Sequence, residues 1–175
     1  MINKEEQATS SRRADYAGWR GQLLAQLALS RLRRLTVYAG PLQGRYDFLA
    51  MADEVVSFFV KVKAFSSMKR RVHGIESVQQ LRWRIPTRLI LDAHKSQIPV
   101  VLFLFDADTG HGRYLRLDTI KVTMPGAVLQ TVRLPVGNTI SEKGLSLLIE
   151  ELGAMHTAAH ASQTKRNALR AKARQ

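Results

Sequence analysis

An aspartate and two lysines are the residues of this chain best spaced to do chemistry together. Lys61 and Lys63 lie in the run Val-Val-Ser-Phe-Phe-Val-Lys-Val-Lys-Ala-Phe from Val55 to Phe65. Its alternation reads as a strand, and a period of two puts both lysines on one face. Upstream, Tyr46-Asp47-Phe48 opens a second strand, and Ala52-Asp53-Glu54 supplies the turn between the two. Asp47 then faces the lysines across a hairpin. A carboxylate can hold a divalent cation, and a lysine beside it can balance charge on a phosphate, so the pair is the skeleton of metal-dependent phosphodiester cleavage. Asp47 could equally form an ion pair with Lys61 or Lys63. A close pair could hold Lys61 in place and leave Lys63 for a phosphate.

The elements that must position these residues follow from periodicity. Tyr16 to Leu35 reads as a helix, with Trp19, Leu23, Leu24 and Leu27 as its apolar stripe. Thr36–Ala39 is a short strand, Arg45–Met51 the strand of Asp47, and Val55–Phe65 its partner. On the latter, Val56, Phe58, Val60 and Val62 form an apolar face that must pack on a helix. Ser66 to Ile85 is polar and basic and reads as irregular. Pro86 can open a helix running to about Lys95. Ile98–Phe105 is a continuous apolar run ending at Asp106, the pattern of a central buried strand. Arg113–Ile120 and Val128–Leu134 are further strands. Thr139-Ile140-Ser141-Glu142 matches a capping box, which predicts a last helix over about 140–161 with Leu145, Leu148, Ile149 and Leu152 inward. Residues 1–13 are expected to be flexible, 14–162 to form one domain, and 163–175 to be a basic tail.

Composition narrows the partners. A chain of 175 residues that is 45% hydrophobic and 23% charged can form one globular domain with a proper core. With no cysteine it has neither disulfides nor thiolate zinc sites. The absence of cysteine, of a signal-like stretch and of a long apolar run leads to the expectation of a cytoplasmic protein without membrane association. The net charge is +13 and clustered, with eight Lys/Arg against the single acid Glu76 between Lys61 and Arg88. That imbalance points to nucleic acid. Lys69, Arg70 and Arg71 suit non-specific backbone contact. Trp83, between Arg82 and Arg84, could stack a base or anchor its segment to the core.

Other patterns carry less. His156 and His160 have metal-ligand spacing without a third ligand and read as exposed histidines. Asp106-Ala-Asp108-Thr-Gly110 mimics the start of a calcium loop, but Leu117 stands where its closing glutamate would be, so it reads as a turn.

The order of these motifs resembles the RecB-like nuclease domains of the PD-(D/E)XK superfamily. Helix, Tyr46-Asp47, Val60-Lys61-Val62-Lys63, helix, Ile98–Asp106 and Gly112-Arg-Tyr-Leu115 follow one another as they do there, over roughly Ala17 to Leu152. More narrowly, the chain looks like a family of small bacterial domains found alone or joined to defence-associated proteins. The resemblance implies an α/β fold with a restriction-endonuclease-like core, a central mixed sheet flanked by helices. It implies Asp47 as ligand of Mg²⁺ or Mn²⁺ and Lys63 as catalytic lysine. The family's second acid, two residues before that lysine, is replaced by Lys61, and a helix glutamate by an amide, Gln22 or Gln26. A protonated lysine cannot ligate a metal, and Mg²⁺ binding usually needs one or two carboxylates.

The leading expectation is therefore a nucleic-acid-binding protein, with DNA preferred over RNA. Its degenerate nuclease site (Asp47, Lys61, Lys63, Gln26) would serve as a phosphate groove, with Lys69, Arg70, Arg71, Arg82, Trp83 and Arg84 adding contacts. The alternatives are an active nuclease dependent on Mg²⁺ or Mn²⁺, and a non-catalytic subunit of a defence or mobile-element complex that binds an acidic protein.

Overall fold

The computed structural model describes residues 4–40, 45–53, 55–67, 81–123 and 126–172, with backbone alone for 4–14 and 159–172. Among these residues it is an α/β protein with three helices, a five-stranded mixed sheet and a two-stranded sheet. In chain order the elements are α1 (Lys4–Ser30), β1 (Leu35–Ala39), β2 (Phe48–Ala52), β3 (Val56–Phe65), β4 (Leu81–Pro86), α2 (Thr87–Lys95), β5 (Val100–Asp106), β6 (Gly112–Arg116), β7 (Leu129–Leu134) and α3 (Glu142–Lys172).

The large sheet has the order β1-β2-β3-β5-β6. β1, β2 and β3 form an antiparallel meander, with Ala52 opposite Val56 across the β2–β3 turn. Asp53 in that turn has φ +49°, a left-handed conformation that aspartate tolerates better than most residues. β5 lies parallel to β3, with Lys61 beside Leu102 and Lys63 beside Leu104. A parallel pair needs a crossover, and the segment carrying β4 and α2 supplies it. β5 is buried over its whole apolar run, as a strand covered on both faces must be.

Each face has its own core. On one, the inward residues of β3 (Val56, Phe58, Val60, Val62) pack with Ala25 and Leu29 of α1 and with Leu145 and Leu148 of α3. On the other, Val100, Leu102 and Leu104 pack with Ile90 of α2 and with Ile85, Val132 and Leu134 of the small sheet.

Several expectations are corrected. α1 spans Lys4–Ser30, so it starts and ends ahead of the Tyr16 to Leu35 helix read from periodicity. Its buried face is also shifted: of the expected stripe, Leu24 packs against the core. Ala25 and Leu29 are fully buried, while Trp19, Leu23 and Leu27 are 59%, 40% and 56% exposed. The cause is close packing: a Cβ added at Gly21 would lie 2.7 Å from the Ala64 Cβ, so α1 meets β3 through its small residues.

The segment expected to be irregular up to Ile85 ends in a strand, β4. It pairs antiparallel with β7 from Leu81↔Leu134 to Pro86↔Leu129. β6 stops at Arg116, short of the expected Ile120. The cap of α3 is Ser141, whose Oγ accepts the Gly144 N–H at 3.1 Å. Thr139 is held instead in a bridge opposite Arg113. α3 then continues to Lys172, beyond the end expected near residue 161. Pro86 does stand at the start of α2, and the last strand falls where expected, at Leu129–Leu134. No helix among the described residues is long and apolar enough to cross a membrane.

Candidate functional site

The site forms where β2 and β3 part. Their ladder ends at Phe48↔Val60, while β3 runs on to Phe65 paired with β5 alone. Asp47 sits at this fork, one residue before β2. Its N–H donates to the Val60 carbonyl at 2.8 Å, and its own carbonyl accepts the Gly40 N–H at 2.9 Å. Gly40 is needed there, since a Cβ would come within 2.7 Å of the Tyr46 carbonyl oxygen. Tyr46 is buried and stacks on Phe59, with centroids 4.5 Å apart and planes 10° from parallel. Its phenol pKa is raised, first by burial and then by the charge of Asp92, against a lowering by Arg45.

So held, the Asp47 carboxylate turns to β3. Oδ2 accepts the Val62 N–H at 2.6 Å, satisfying a backbone donor that the departing strand no longer reaches. Oδ1 lies 3.4 Å from the Lys61 ammonium and 3.5 Å from the Gln22 amide nitrogen. The ion pair is mostly shielded, with the Lys61 and Asp47 side chains 17% and 15% exposed. Lys63, two residues on, is exposed. Gly18, Gln22, Asp47, Lys61 and Lys63 line an open cleft of about 380 Å³. Among the described residues, two lysines and one carboxylate thus line the cleft.

The expected residues divide into three groups. Asp47, Lys61 and Lys63 come together, and Gln22 is the helix amide that reaches Asp47. Gln26 is exposed and lines a neighbouring hollow with Trp19 and Leu23. Arg82 and Arg84 are exposed on the outer side of β4, whereas Trp83 points inward and meets Phe65 at a centroid distance of 5.5 Å. Trp83 is therefore an anchor to the second core. Lys69, Arg70 and Arg71 lie outside the described residues.

Sequence reasoning missed Arg133. It is exposed on β7 directly opposite Arg82, so two guanidinium-bearing positions are neighbours across one pair of strands. Its alternation with Val132 and Leu134 was the available signal. Asp106, by contrast, is the last residue of β5 and opens the expected turn. Its carboxylate accepts the Asp108 N–H at 3.0 Å and the Thr109 hydroxyl at 2.9 Å, and Gly110 takes φ +76°.

The donor set can be weighed against Mg²⁺ or Mn²⁺. Near-octahedral coordination draws on one or two carboxylates besides water and substrate oxygens. Among the described residues the cleft offers one carboxylate, with a backbone N–H on one oxygen and an ammonium and an amide near the other. Among the described residues no three His, Asp or Glu side chains gather at a point. These residues do not fit a divalent metal. The Lys61 ammonium already supplies positive charge to Asp47. No protein-family model matches the chain, and comparison with curated proteins finds no match.

Proposed function

We propose that this chain binds nucleic acid, DNA in preference, through a nuclease-like α/β core whose cleft holds a phosphate without cutting it. The core would be the restriction-endonuclease-like one, with the meander, the crossover and the parallel buried strand as its frame. The observation that carries the reading is the Asp47–Lys61 pair. With Lys61 neutralising Asp47, the exposed Lys63 gives the cleft a surplus positive charge, and a phosphate oxygen is the complementary group.

The outer face of the small sheet supports the same partner. Arg82 and Arg133 stand opposite one another, and Arg84 is exposed on the same strand as Arg82. Like charges directly across a strand pair are unfavourable on their own, and a polyanion relieves them. The net charge of +13 adds long-range attraction.

The test is equilibrium binding of a fluorescent DNA in EDTA over a range of salt. Affinity should fall steeply and log-linearly as salt rises. Lys63→Ala should weaken binding and reduce the salt slope by about one. Salt-independent binding, or capture of an acidic protein with no affinity for DNA, would replace this reading.

A further inference from the structure

The exposed face of α1 lies beside the phosphate cleft and has a composition that the proposed binding role leaves unexplained. Trp19 is 59% exposed and Tyr16 54%, their rings 6.2 Å apart. An exposed tryptophan on a helix that packs through Gly21, Ala25 and Leu29 is not a packing necessity. Trp19, Gln22, Leu23 and Gln26 recur at intervals of three and four and so share one side of the helix. They line a second open hollow of about 440 Å³, closed on its far side by Tyr46, Asp47 and Phe48. This hollow and the phosphate cleft share two wall residues, Gln22 and Asp47. Charge and apolar surface therefore meet without a gap.

We propose that the occupant of this joined surface is single-stranded nucleic acid, with a backbone phosphate at Lys63 and an unpaired base laid against Trp19. The proposal rests on the nucleic-acid-binding reading and specifies its substrate class. Three features favour it over an apolar partner. The hollow mixes an indole with the amides of Gln22 and Gln26, and an amide offers both a donor and an acceptor to a base edge. The adjoining lysine face complements a backbone, not a hydrophobic surface. A base in intact duplex is stacked and paired inside the helix, so only an unpaired one can present its face to an indole; such stacking is tolerant of sequence.

The experiment compares the full chain with Trp19→Ala, Trp19→Phe and Lys63→Ala against an oligothymidine and a duplex of equal length, at one salt concentration in EDTA. Wild-type protein should prefer the single strand. Trp19→Ala should cost about tenfold in affinity for it and leave duplex affinity unchanged, and Trp19→Phe should recover most of the loss. Lys63→Ala should weaken both. Circular dichroism and thermal melting confirm that each variant is folded. If Lys63→Ala weakens binding but Trp19→Ala is silent, or if the duplex is preferred, the single-strand inference is overturned while the phosphate cleft stands. If neither nucleic acid binds, both fall. If Trp19→Ala instead abolishes self-association in sedimentation and leaves both affinities intact, the face belongs to a second copy of the chain and the inference is wrong.

Discussion

Two shielded cation–carboxylate clusters in this molecule have opposite balances. At Arg116, on β6, one guanidinium meets two carboxylates: Asp118 at 2.5 Å and Glu151 of α3 at 2.6 Å. The arginine side chain is 6% exposed. Burial alone would lower its pKa, but the hydrogen bonds and charges of Asp118 and Glu151 more than offset this, and the net shift is upward. At the β2–β3 fork the count is reversed: among the described residues, one carboxylate and two lysines line the cleft. The Arg116 cluster ties the end of β6 to α3 and leaves no positive charge over. The fork leaves Lys63 facing solvent. A buried cation outnumbered by carboxylates serves the fold, and a carboxylate outnumbered by lysines at an open cleft is what the proposed function reads as a receptor for an anion.

Substitutions should separate these roles. The largest stability effect is expected from Arg116→Ala, which strands Asp118 and breaks the link to α3. It should cost about 2–3 kcal/mol, less than a fully buried pair because Glu151 is half exposed. Denaturant unfolding measures this, and DNA affinity should stay within about twofold. Next is Lys61→Glu, which sets two carboxylates against each other at the fork. It should lose about 1–2 kcal/mol in EDTA and regain it on adding Mn²⁺, whereas wild-type protein should show no Mn²⁺-dependent rise in melting temperature. A wild-type rise would mean that Lys61 does not take the place of a metal. Gly21→Ala, which pushes a methyl to within 2.7 Å of the Ala64 Cβ, should cost about 1 kcal/mol or more. Lys63→Ala is the smallest for stability, within about 0.5 kcal/mol of wild type, and changes binding instead.

Much of this arrangement is legible in the residues. The β2–β3 hairpin follows from alternation around Ala52-Asp53-Glu54, and the buried β5 from six consecutive apolar residues between Val100 and Phe105. The meeting of Asp47 with Lys61 and Lys63 follows from that hairpin. Two things were hidden, for physical reasons. The packed face of α1 is made of Gly21, Ala25 and Leu29 because the helix lies close to β3, and ranking residues by hydrophobicity selects the larger Trp19, Leu23 and Leu27 instead. β4 pairs with a strand more than forty residues away, and nothing local reports such a pairing. Leu81, Trp83 and Ile85 do alternate with Arg82 and Arg84, but the surrounding basic residues mask the pattern. The choice of Ser141 over Thr139 as cap was equally out of reach, because it depends on the Thr139–Arg113 bridge.

The central claim is that the fork binds a phosphate backbone with lysine charge and no metal. The measurement that tests it most directly is DNA affinity of wild-type and Lys63→Ala protein in EDTA across a salt series. Tight wild-type binding without metal is predicted, with a steep salt slope that is shallower by about one in the variant. Binding that appears only when Mg²⁺ or Mn²⁺ is added, with Lys63→Ala indistinguishable from wild type in EDTA, would contradict it.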